Sequence, residues 1–167
     1  MKTLPTMTLL ALWSVTAAGE AFAQAADDRA ELARELGSVL AWRLMPEVVE
    51  TQCRGPDPEG VEARQKALQN WRDKHAALIQ SVDDHVAEIV PLAFPGAETQ
   101  TSVEAIRRQV GDLLQESMFA GRSDAELKQI CEAERDPASP NWNSNGMPHV
   151  QEALAALYDW KVRHAAE

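Results

Sequence analysis

Apolar positions along this chain recur at intervals of three and four residues almost throughout. No stretch alternates with period two for long, so the pattern predicts helices and no strands. Leu32, Leu36, Val39, Leu40, Leu44, Val48 and Val49 form one stripe and predict a first helix from about Asp27 to Gln52, capped by Asp27 or Asp28. Pro46 falls inside this stripe without a backbone N–H to give, so a kink or break is expected near Trp42. Beyond the connector Arg54 to Gly60, a second and longest helix is expected from about Glu59 to Val90. Its inward line reads Val61, Leu68, Trp71, His75, Leu78, Val82, His85 and Ile89, a seam that requires partner helices alongside. Pro91 and the PLAFPG stretch are expected to end it.

Val103, Ile106, Val110, Leu113, Leu114 and Met118 predict a third helix from about Ser102 to Ala120, with Gly121 as its C-terminal stop. Ser123 followed by Glu126 is a capping box and opens a short fourth helix. The last helix, from about His149 to Ala165, carries Val150, Leu154, Leu157, Tyr158 and Trp160. Short connectors and the absence of strands make the expected fold all-α: a single-domain antiparallel bundle of four to five helices, with one disulfide.

The first residues change the picture by assigning a compartment. MKTLPTMTLLALWSVTAAGEAFA has a basic start at Lys2, an apolar run from Met7 to Ala18 and a small-x-small site at Ala21 to Ala23. Residues 1–23 are therefore expected to be a cleaved signal peptide, and residues 24–167 the helical domain, in a bacterial periplasm or secreted. The run is short for the roughly 20 residues of a bilayer span, and no integral membrane segment is expected in the mature chain. Cys53 and Cys131 are the whole cysteine complement, and in an oxidising compartment an isolated pair is most simply one structural disulfide.

The formal net charge is −10, which argues against nucleic acid and anionic membrane as partners. His75 and His85 both lie on the apolar seam, but ten helical residues place them about 15 Å apart, too far for one ion. His85 and Glu88, with Asp112 or Glu116, could share an ion, yet the Glu-x-x-His pairs of helical di-metal sites are absent. No C-x-x-C-H, G-x-S-x-G, S-x-x-K set or glycine-rich phosphate loop occurs, so neither cofactor nor metal is expected and catalysis has no signature. The acidic side chains read as solvated helix faces.

One segment stands apart in composition: SPNWNSNGMPH, Ser139 to His149. Trp142 between two Asn suits a contact surface, because the ring supplies area at low entropy cost while amides donate and accept. On that reading Trp142, Asn143, Asn145 and His149 are binding residues for a glycan, peptide or protein. On the other, Trp142 folds back to plug the end of the bundle and the Asn side chains cap turns. In size, export signal and helix content the chain is similar to envelope stress chaperones and periplasmic immunity proteins. The Leu-Thr-x-x-Gln repeat of the former is missing, and no family is assigned. The expected role is binding to another protein, as an inhibitor or immunity-type protein whose acidic face steers onto a basic cleft. The alternatives are a structural or chaperone-like envelope protein with a broad apolar groove, and a small hydrolase or metal-binding protein with convergent polar groups.

Overall fold

The computed structural model describes residues 13–93, 99–142 and 147–165, so the start of the expected signal peptide and Asn143 to Gly146 lie outside the described residues. Compactness divides the chain into Met1–Arg34 and Glu35–Glu167. The first contributes the opening of helix α1; the second carries the core considered below.

The described residues form six α-helices and no strand: α1 Trp13–Gln52, α2 Val61–Lys74, α3 Ala76–Ala93, α4 Thr99–Phe119, α5 Asp124–Ala133 and α6 Met147–His164. A single 3-10 turn, Pro58–Gly60, leads into α2. The all-α expectation holds, but there are six helices rather than four to five. The extra helix arises because the expected long helix divides at His75, whose backbone leaves the helical region at φ −109°, ψ 15°. Its imidazole is buried and rests against Trp42 and Trp71, with ring centroids 5.7 and 5.5 Å away. Pro46 lies within α1 with its ring wholly buried and does not break the helix, while α3 ends at Ala93, two residues past Pro91 and inside the PLAFPG stretch expected to stop it.

Local signals act where expected. Ser123 Oγ accepts from the Glu126 backbone N–H at 3.4 Å while Glu126 Oε2 accepts from the Ser123 N–H at 2.8 Å, closing the capping box of α5. Gly121 takes φ 73° just after α4, a left-handed conformation in which glycine has no Cβ clash. Pro148 occupies the first turn of α6, where its missing N–H costs no helical bond.

Burial follows most of the stripes, but Leu113 of α4 and Tyr158 of α6, both expected on them, are exposed. In α3, Val82, Val86, Ile89 and Val90 are fully buried at helical spacing, and α3 packs against both α4 and α6. A second apolar cluster joins Val49 and Cys53, Ala67, Leu68 and Trp71 of α2, Phe119 of α4, Cys131 of α5 and Trp142. Within it the sulfurs of Cys53 and Cys131 lie at disulfide distance, 2.01 Å, tying the end of α1 to α5.

Candidate functional site

The segment Ser139 to Trp142 is organised by one carboxylate. Glu134, buried at the end of α5, accepts from Asn141 Nδ2 at 2.7 Å and from Ser139 Oγ, while its backbone carbonyl accepts from Trp142 Nε1 at 2.9 Å. The Trp142 N–H also donates to the Ser139 carbonyl at 3.1 Å, closing a turn. Trp142 is 4% exposed, with its ring in the core cluster. His149 is the reverse, an 85% exposed side chain 3.6 Å from Glu152. Asn143 and Asn145 lie outside the described residues.

Pro140 and Asn141, which precede that buried indole in the chain, line an apolar cleft of about 300 Å³ together with His149. Ser38, Trp42, Met45 and Pro46 supply its α1 wall, because spacings of three and four place them on one helix face. Trp71 of α2 and Val150 of α6 complete the lining. The Trp42 and Trp71 rings are tilted at 50° with centroids 5.0 Å apart. Among the described residues neither indole Nε1–H, each without accessible surface, finds an acceptor, although buried donors are almost always paired. Pro46 has no N–H to give the Trp42 carbonyl four residues back. Behind the indoles, burial and then the nearby Lys74 hold the His75 imidazole below its ordinary pKa.

The lining contains no Asp, Glu, Lys or Arg, which sets this cleft apart from two others on the molecule. One runs between α1 and α2, and its charges already satisfy each other. Glu50 takes Arg54 Nη2 at 2.8 Å and Gln65 Nε2 at 3.4 Å; Glu47 takes Arg43 Nη1 and Arg72 Nη2, each at 2.9 Å. The other is lined by Asp112, Glu116, Phe119 and Leu127. The candidate ligand set around His85 does not assemble. His85 Nδ1 lies 2.7 Å from the Ser81 carbonyl and Glu88 binds Lys161 at 2.6 Å. Among the described residues, no three His, Cys, Asp or Glu side chains converge as metal ligands.

Comparison with protein families, with curated proteins and with solved structures finds no match, so the site is interpreted from its own geometry. Trp71 and Val150 read from sequence as inward positions of their helices, Trp42 only as the neighbourhood of an expected kink, and Ser38 and Met45 had no signal. Pro46 four residues after Trp42 was the feature that could have marked this position, since it removes a donor beside an aromatic ring.

Proposed function

We propose that this chain is an exported protein, released after residue 23, that works by binding another protein in an inhibitor or immunity-type role. Its helices are read as an antiparallel bundle presenting one recognition cleft. The observation that carries the binding role is the uncharged, largely apolar cleft at Trp42 and Trp71. A concave surface that is mostly apolar and carries few polar groups is the kind that recognition sites use. The net charge of −10 supports a basic partner, attracted over distance before the neutral cleft engages it. The cysteine pair at disulfide distance supports an oxidising compartment.

The test is expression from the native start with a C-terminal tag in a Gram-negative host, followed by fractionation and intact-mass analysis. The expected product starts at Gln24, is recovered outside the cytoplasm with both thiols resistant to alkylation, and captures a basic protein. Association with that partner should slow as salt is raised, since exposed charges are screened beyond about 10 Å at 0.1 M ionic strength. Retention of the uncleaved chain in the cytoplasm would overturn export. A salt-independent association rate would overturn the electrostatic approach.

A further inference from the structure

We infer that the groove lined by the end of α1, by α4 and by α5 receives an arginine of the basic partner. This goes beyond the neutral cleft, and it deepens the basic-partner reading on which it rests. The groove encloses about 460 Å³, within the range of ligand clefts. Asp112, Gln115, Glu116 and Phe119 line it at spacings of i, i+3, i+4 and i+7, so α4 presents them on one face. Gln52 of α1, Ala120 and Leu127 of α5 supply the rest of the wall. Half of the lining is therefore polar and carries two carboxylates, and the other half is apolar.

Charge decides which partner group enters. Glu47, Glu50, Asp57, Asp83 and Glu88 each hold an arginine or lysine of this chain. Among the described residues Asp112 and Glu116 hold none, and the side chains of Gln52 and Gln115 have no hydrogen-bond partner. Two carboxylates one helical turn apart repel each other, so a cation brought from outside is favoured between them. A calcium ion would take about six to eight oxygen ligands and gain nothing from Phe119, Ala120 and Leu127. An arginine uses both halves of the wall. Its planar fork of donors can serve both carboxylates, while its methylene stem lies along the apolar side chains. A lysine brings the same charge as a compact point and lacks the fork.

The experiment is an NMR titration of the exported chain with the acetylated, amidated peptide Ala-Leu-Arg-Leu-Ala. Two companion peptides carry lysine, or uncharged citrulline of the same shape, in place of the arginine, and calcium chloride is titrated alone. The backbone amides of Asp112 to Ala120 and the side-chain amides of Gln52 and Gln115 should shift with the arginine peptide. Citrulline should weaken binding by at least about tenfold, the scale of charged hydrogen bonds, and lysine by less. Asp112→Asn with Glu116→Gln should weaken it by at least about tenfold without lowering the urea midpoint, since both side chains are exposed. Glu62→Gln with Asp159→Asn removes the same charge from exposed positions outside the groove, and should bind the peptide as the parent does. No shift at millimolar peptide, equal binding of the citrulline peptide, unchanged binding by the Asp112 and Glu116 variant, or calcium producing the same shifts would each overturn the inference. Capture of the basic partner separates the two levels. Undiminished capture by the Asp112 and Glu116 variant leaves the basic partner standing and removes the groove from it, whereas no capture by the parent removes both.

Discussion

Arg64 and Asp57 form an ion pair withdrawn from water: the Arg64 side chain has no exposed surface and that of Asp57 has 2%. Arg64 Nη2 also donates to the Cys53 carbonyl at 2.9 Å and the Asp57 carbonyl at 2.7 Å, and Nη1 reaches the Cys131 carbonyl at 3.2 Å. One guanidinium thereby holds the backbones of both cysteines. Arg135 closes on the same carboxylate from α5's end, its Nε at 2.8 Å from Oδ2. Removing one member strands the other, so Asp57→Ala is expected to cost about 3–5 kcal/mol. Arg64→Met removes the buried cation with its aspartate still answered by Arg135, and the double variant should cost clearly less than the sum of the two. Urea unfolding of the four proteins measures this. Additive losses would show that the pair is not coupled.

Gly60 is constrained by this network rather than by its dihedral angles. A Cβ there would collide with Asp57 Oδ2 and Arg64 Nη1 and lie 2.7 Å from Arg135 Nε. Gly60→Ala should therefore destabilise by at least about 2 kcal/mol, since the ion cluster must open to admit the methyl group. Gly55→Ala meets nothing within 4 Å and should stay within about 0.5 kcal/mol of the parent. Equal midpoints for the two variants in chemical denaturation would contradict the close approach.

What could be read in advance was whatever depends on a few neighbouring residues. The Ser123–Glu126 box, Gly121 and the stripe from Val82 to Ile89 act through local geometry, and all behave in the fold as their spacing implies. The break at His75 was hidden because it depends on two indoles, one from α1, enclosing the ring. Arg64 was hidden for a related reason. A charged side chain between Val61 and Leu68 reads as a solvated face until Asp57 and two cysteine carbonyls are known to surround it. The cleft draws its walls from α1, α2, α6 and the Ser139 turn, so no single stretch of sequence contains it.

The cysteine pair closes a separation of 78 residues. In the chain-entropy model that loop is worth about 4.5 kcal/mol. Replacing both cysteines by alanine should cost about that much or somewhat less, because Arg64 still draws the two backbones together. The direct measurement is the change in urea midpoint between the oxidised chain and the double alanine variant. A difference under about 1 kcal/mol would assign the junction to Arg64 and the core instead of the bridge.

Two buried groups set the expected response to pH. Hydrogen bonds from Arg135 first, and then Arg64, hold the Asp57 carboxyl well below the usual carboxylate range against the opposing effect of burial. Unfolding returns it to about 3.9, so its contribution is complete above that pH and is lost as pH falls toward the folded value. His75 is lowered chiefly by burial, so the folded state prefers the neutral ring while the unfolded imidazole protonates at about 6.5. Stability should be level above about pH 7, begin to fall below about 6.5, and fall further below about 4. His75→Gln should flatten the first step and Asp57→Asn the second. Urea midpoints measured across this range decide it, and a first step that survives His75→Gln would assign it to another group.

Trp142 was the residue whose role was most open, and its environment gives the two outcomes different signatures. The ring packs beside Cys53, Trp71, Phe119 and Cys131, so Trp142→Ala should cost about 3–5 kcal/mol, as for other buried aromatic truncations. Trp142→Phe keeps most of the packing and deletes the donation to the Glu134 carbonyl, and should cost closer to about 1 kcal/mol from the lost bond, with more if the carbonyl is left dry. Because Trp142 underlies the turn carrying Pro140 and Asn141, Trp142→Ala should also weaken partner capture, but only in proportion to that turn's disorder. Trp142→Phe should leave capture intact. Capture lost in Trp142→Phe with stability unchanged would place the indole at the partner surface, and the buried position would then describe only the unbound protein.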